Sequence, residues 1–302
     1  MDTLEQLTGD TEATSWIPVD IYADLILEAS VCYGKLSGVV TALDYDAAQG
    51  TGGIVQVRYV PARVAQGPMH ACQCLSATSS TLGTYSITIQ PYGDYDEMCS
   101  YSLWKANGPV KDKILNEMAK GLASARDTAI WAALIANSGQ RYHLRSVASC
   151  DHPVYSASCC SLRTDLYNGI VNVAKKMEHR GMHPDYVMMD PTIAAYLYYK
   201  DGEFPPSSIM TPAIKFDSSD HLIEVAGLKV IETCNAASCT TVSATTVAVI
   251  IDSSRAVGEA WGMHPKFEEE RIPYCDKVRE TIWMYWGTHA LDTNAIGHII
   301  NG

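Results

Sequence analysis

Four groupings of side chains in this sequence have the residue types that chemistry needs. Asp252-Ser253-Ser254 together with His289 supplies the carboxylate, hydroxyl and imidazole of a nucleophilic triad. His183-Pro184-Asp185 and Asp190-Pro191 offer an imidazole and carboxylates for proton transfer. Gly50-Thr51-Gly52-Gly53 has the glycine content of a backbone cradle for phosphate. Cys150, His152, Cys159 and Cys160 are side chains of the kind that hold zinc.

Each grouping also has a plainer reading. A triad is a geometry, and spacing along a chain supplies none. Asp190 stands where a residue caps the next helix, because a carboxylate accepts from free N–H groups of the first turn. The glycines are followed by a strand pattern rather than a helix, which marks a turn. The cysteine and histidine cluster reads as a cysteine-rich surface loop, and Trp283, Tyr285 and Trp286 read as core. No Gly-x-Ser-x-Gly, His-Glu-x-x-His, Gly-x-x-x-x-Gly-Lys-[Ser/Thr] or Gly-x-Gly-x-x-Gly string occurs. The expectation is therefore no catalytic residue, no cofactor and no metal.

The 10 cysteines are spread along the chain with no Cys-x-x-Cys pair. Cys234 and Cys239 bracket Asn235 and Ser238 between two predicted strands, 228–233 and 241–251, a placement that suits a disulfide and equally a pair of free buried thiols. An oxidised pair would place the protein outside a reducing cytosol or in a thermophile.

With 302 residues, 47% hydrophobic and 19% charged, the chain has material for one large or two modest cores. Its apolar runs, such as 247–251 and 130–136, fall far short of the roughly 20 residues that span a bilayer. Met1-Asp2-Thr3-Leu4-Glu5 lacks the basic-then-apolar order of a secretion signal. The net charge of -12 opposes phosphate, so sequence-specific DNA binding is excluded on electrostatic grounds. The basic clusters, Lys111 with Lys113, Lys175-Lys176 and His179-Arg180, fall where solvated helix faces are expected.

The hydrophobic pattern lays out the elements that would carry these residues. Trp16-Ile17-Pro18 is an apolar entry, followed by an amphipathic segment over 20–30. Val55, Val57 and Tyr59 alternate on an outgoing strand, and Tyr85, Ile87 and Ile89 on a returning one. Between them, 61–83 has no period, and a connection that long is functional or disordered. A two-stranded ribbon is marginal alone, so the hairpin is expected to lie on another copy of the chain.

A helix is predicted over 109–137, with Ile114, Met118, Leu122, Ala125, Ala129 and Ala132 or Ala133 as one apolar stripe. After a loop over 140–162 come a helix over 165–180 with Leu166, Ile170, Val173 and Met177 inward, a strand over 186–189 and a helix over 191–200. A loop over 201–220 and a hairpin over 225–251 follow. Ser253-Ser254 is expected to cap a short helix holding Val257 and Trp261. One long strand over 266–287 then passes from a core, where 282–286 is buried on both faces, into a polar surface at 268–271.

This order of elements resembles the major capsid proteins of tailed viruses, the Hong Kong 97-like fold. The strings that carry the resemblance are Ser15-Trp16-Ile17-Pro18 with 21–27, then 53–60 with 85–89, then Asp127-Thr128-Ala129-Ile130. The close runs from Ile251-Asp252 through Arg255-Ala256-Val257-Gly258 to Leu291-Asp292 and Ala295-Ile296. The resemblance implies an α+β fold with an N-terminal arm (1–43), an extended β-hairpin loop and return strand (44–106) and a spine helix (107–139). It further implies an axial domain (140–249) and the C-terminal strands of a peripheral domain (250–302).

It also implies a shell of pentamers and hexamers enclosing double-stranded DNA, located in the virion and assembled in the host cytoplasm without a membrane. Trp16, Ile17, Arg58, Arg63, Cys72, Cys74, Glu269 and Arg271 would touch neighbouring copies. Portal or decoration proteins would be partners. No lysine lies between Lys35 and Lys105, so a lysine–asparagine crosslink from the arm is unavailable. The short N-terminal segment leaves no room for a fused scaffolding domain, so a scaffold would be separate or absent. An encapsulin-like compartment and a soluble oligomeric enzyme are the competing classes.

Overall fold

The computed structural model describes residues 34–43, 53–59, 83–99, 110–144, 157–198, 214–216, 222–236 and 245–301. Two sheets and a long helix organise them. The helix, α1 (Val110–Ala136), is 27 residues long, as its pattern predicts. Its buried face begins on the expected stripe with Ile114, Met118 and Leu122 and then turns to Asp127, Ile130, Trp131 and Leu134. Ala132 stays exposed. Alanine removes little apolar area from water, so Trp131 and Leu134 decide which side faces the core.

The larger sheet has seven strands in the order β5-β13-β10-β6-β9-β8-β7. These are β5 (Gln140–Leu144), β6 (Tyr186–Met189), β7 (Ile214–Phe216), β8 (Leu222–Val225), β9 (Leu228–Glu232), β10 (Thr246–Ile251) and β13 (Ile296–Asn301). Two helices belong to it, α2 (Ala157–His179) and α3 (Pro191–Tyr198). Leu166, Ile170, Val173 and Met177 of α2 are buried at the predicted spacing. The helix stops where Gly181 (φ +79°) takes a left-handed conformation. Met182 N–H donates to Met177 O and Gly181 N–H to Glu178 O, which satisfies the last carbonyls. Asp190 caps α3, its Oδ1 accepting from Thr192 N–H at 2.7 Å.

Three expectations for this region are corrected. The loop over 140–162 contains strand β5, parallel to β13, and α2 begins at Ala157 rather than near 165. The loop over 201–220 contains the short strand β7. The hairpin over 225–251 is instead β8 with β9, turning at Ala226 (φ +54°) and Gly227 (φ +85°). Strands β9 and β10 do not pair, because β6 lies between them, parallel to β9 and antiparallel to β10. The reason is apolar content: β10 is buried from Val247 to Ile251 and so takes a central place, whereas β9 alternates buried Leu228 with exposed Lys229.

The smaller sheet has the order β1-β11-β12-β4, formed by β1 (Thr41–Leu43), β4 (Gln90–Cys99), β11 (Val257–Ile272) and β12 (Lys277–Ala290). The expected cap and helix at Ser253-Ser254 are absent. Asp252 Oδ1 accepts from Ser254 N and Oγ at 3.2 and 2.6 Å, closing a turn that feeds straight into β11. The single strand over 266–287 is also corrected to a hairpin of β11 and β12, paired from Ile272↔Lys277 to Val257↔Ala290. Its turn is Pro273-Tyr274-Cys275-Asp276, with Asp276 at φ +48°. Proline cannot donate to a ladder, and that was the signal for a break.

The hairpin of β2 (Ile54–Tyr59) and β3 (Gly83–Thr88) forms with Val55 opposite Ile87 and Val57 opposite Tyr85. Its base is not bare, as the sequence reading expects. Val55 and Ile87 pack on Ala260 of β11, with Leu43 and Ile89 beside them.

Candidate functional site

The residues that could form a triad are spent elsewhere. Ser253 N donates to Asp185 Oδ1 at 2.8 Å, and Ser253 Oγ to Asp185 Oδ2. Asp252 Oδ2 accepts from His183 N at 2.9 Å. These carboxylates stitch the segment after α2 to the turn after β10. The His289 ring instead lies against Tyr85, centroids 6.1 Å apart. Gly53 (φ +81°) is the turn residue before β2, as expected.

Among the described residues, no three metal-ligating side chains converge. Cys150 and His152, and the side chains of Cys159 and Cys160, lie outside the described residues. Cys234 is disulfide-bonded, and Cys239 lies outside the described residues. Cys99 and Cys275 are free thiols, Cys275 exposed at the tip of the β11–β12 hairpin.

A junction that sequence reasoning missed joins α1 to the smaller sheet. Arg126 Nη2 donates to Glu259 Oε1 and Oε2 at 2.7 and 2.6 Å, and its Nε to Oε2 at 3.2 Å. Trp286 Nε1 donates to the same carboxylate at 3.0 Å. The guanidinium sits 4.9 Å from the Trp261 ring and 5.9 Å from the Trp286 ring. A buried charge survives only when paired and hydrogen-bonded, and here ring faces complete the shell.

The next residue ties in the entry segment. Asp127 accepts from Lys35 N at 2.9 Å and Leu36 N at 3.3 Å. Burial pushes its pKa above the ordinary 3.8, opposed by those backbone donors and by Arg126. An Arg-Asp pair in a helix is common, and nothing in its spacing announces these partners.

Beyond this junction the outer half of the smaller sheet is exposed along β11 from His264 to Arg271. Glu269 and Arg271, named as contact residues, are both exposed there, and Arg58 is exposed on β2. Trp16, Ile17, Arg63, Cys72 and Cys74 lie outside the described residues. Arg279 bridges Glu97 and Glu270 across three strands, with Nε–Oε1 at 2.8 Å to Glu97 and Nη1–Oε2 at 3.8 Å to Glu270. Arg271 pairs with Asp276 at 3.1 Å. Solvent-screened pairs of this kind contribute little to stability.

The aromatic reading needs correction. Of Trp283, Tyr285 and Trp286, only Trp286 is core; Trp283 and Tyr285 are exposed. Strand β12 alternates here, with Met284 and Trp286 inward and Trp283 and Tyr285 partly exposed on the other face. Tyr95 of β4, opposite Thr281, shares the face of Trp283 and Tyr285; Phe267, opposite Ile282, is exposed on the other face, and Tyr274, at 97% exposure, sits at the hairpin turn. Large exposed apolar groups grouped on one sheet mark a surface made to be covered.

No protein-family profile matches the chain. No curated protein matches its sequence. Solved structures do match. The capsid structure of cyanophage P-SCSP1u is 15% identical with a TM-score of 0.68, over 92% of this chain and 94% of that one. A structure from Mycobacterium phage Che8 is 14% identical with a TM-score of 0.65, over 91% and 94%. The capsid of an empty GTA particle is 10% identical with a TM-score of 0.65, over 92% of each chain. Over more than nine-tenths of its length the chain thus has the α+β fold of tailed-phage capsid structures.

Proposed function

We propose that this chain is the repeating subunit of a closed icosahedral capsid that encloses the double-stranded DNA genome of a tailed virus. The observation that carries the reading is likeness to phage capsid structures over more than nine-tenths of both chains. Exposed aromatic side chains on the smaller sheet, Tyr95, Trp283, Tyr285 and Tyr274, support it, since a symmetric lattice buries such surface between copies. Residues 1–43 act as an arm, 44–106 as the extended loop, 107–139 as the spine, 140–249 as the axial domain and 250–302 as peripheral strands. Trp16, Ile17, Arg58, Arg63, Cys72, Cys74, Glu269 and Arg271 meet neighbours in pentamers and hexamers. A separate scaffold, a portal and decoration proteins are the further partners, and the virion is the destination.

The test is the content of purified particles. Nuclease-protected double-stranded DNA is expected. Particles filled with protein would move the assignment to an encapsulin-like compartment, and a small soluble oligomer would favour an enzyme. Deleting residues 63–80 is expected to leave a folded subunit that makes no stable particle; wild-type particles from that variant would remove the role given to the loop.

A further inference from the structure

An acidic chain, with 34 carboxylate side chains against 22 lysines and arginines, has one groove whose lining contains no carboxylate among the described residues. The groove is open, about 750 Å³, and runs along the outer face of α2. Asn168, Asn172, Lys175 and Lys176 stand on that face at three- and four-residue steps, all exposed. Arg180 closes the far end and Gln140, at the start of β5, forms a wall. Gln140 is only 7% exposed, and its Nε2 amide has no hydrogen-bond partner. Arg180 Nη1 donates to Asn294 Oδ1 at 2.7 Å, which fixes the guanidinium.

Two plainer accounts explain part of this. Cations in the last turn of a helix offset its dipole, which covers Lys176 and His179. That account leaves Asn168, Asn172 and Gln140, one to three turns away, without a reason. Lys175 also pairs with Glu178 at 2.6 Å, but both ends are exposed and the pair is exchangeable. The set as a whole, amine, guanidinium and carboxamide, is the set that contacts phosphate and sugar in nucleic acids. Along α2 the donors recur about every 6 Å, from the rise of ~1.5 Å per residue. Every second phosphate of a duplex strand advances about 7 Å along the axis.

We propose that this groove is a sequence-independent site for the phosphate backbone of nucleic acid. The assignment rests on the shell reading for its source of polyanion. A neighbouring copy's acidic run at Glu268-Glu269-Glu270 is the competing occupant. It is less suited, because an exposed run of three adjacent carboxylates on one strand places alternate side chains on opposite faces of the sheet and so presents at most two of them to one groove.

The test uses the full chain, a short labelled DNA duplex and fluorescence anisotropy over a range of salt. K175E/K176E is expected to weaken binding by about tenfold or more, equally for different sequences, and to lower the salt slope by about 2. K175Q/K176Q, which adds no repulsion, is expected to fall between the variant and the wild type. Equal binding by all three chains, or no salt-dependent binding by the wild type, overturns the proposal. Lost particle formation in K175E/K176E with duplex binding unchanged also overturns it and assigns the groove to a neighbouring copy. Whether wild-type particles form at all is read separately by microscopy, so failure of the shell reading is distinguishable.

Discussion

The two sheets use their apolar residues in opposite ways. In the seven-stranded sheet, Val187, Met188 and Met189 of β6 and the run from Val247 to Ile251 of β10 are buried from both sides. In the four-stranded sheet, burial on β11 stops after Ala260, and β12 shows Trp283 and Tyr285 to solvent. The first sheet completes its core within one chain. The second keeps the aromatic side chains of Trp283, Tyr285 and Tyr95 exposed among the described residues. A monomer gains nothing from that arrangement, whereas a subunit does, because area left uncovered in one copy is available to the next.

The junction at Arg126 ties the smaller sheet to α1 through a buried charge, so breaking it has the largest expected effect. R126A leaves Glu259 buried without its partner, and a cost of about 3–5 kcal/mol follows. A stability loss of less than about 1 kcal/mol in urea unfolding would show the pair to be dispensable. M188A cuts a fully buried side chain from the centre of the larger sheet and is expected to cost about 2–5 kcal/mol. By contrast Y274S, at the tip of the smaller one, should change chain stability by no more than about 0.5 kcal/mol. A large loss of stability from Y274S would erase the distinction between a self-sufficient and an unfinished sheet.

A smaller effect comes from His298, buried on β13 with Nε2 3.0 Å from Leu134 O. A carbonyl only accepts, so Nε2 carries a proton. Burial pushes its pKa below the ordinary 6.5. The unfolded chain therefore binds a proton that the native chain refuses. The contribution of His298 is fully present above 6.5 and is lost as pH falls toward its native value. H298Q should flatten the loss of stability on that interval; an unchanged profile would place the titration elsewhere.

Local pattern made the self-sufficient region legible. The spacing of Leu166, Ile170, Val173 and Met177 dictates a helix, and Tyr-Val-Met-Met before Asp190-Pro191 dictates a strand and a cap. What stayed hidden was pairing order, since β6 inserts between β9 and β10 by a contact that no local pattern encodes. The smaller sheet was misread because its strands change environment halfway. Aromatic residues there follow the pattern of a core, and only their exposure reveals them as surface. Pro273 is the local signal that breaks the stretch into two strands. Partners such as Glu259 for Arg126, or Lys35 and Leu36 for Asp127, are distant in sequence and have no signature.

Negative-stain electron microscopy of the purified full-length chain tests the central claim most directly. Uniform, closed, hollow particles of one diameter are the predicted result. A monodisperse monomer or small ring at every concentration and salt, with Tyr95, Phe267 and Trp283 still open to solvent, would contradict it.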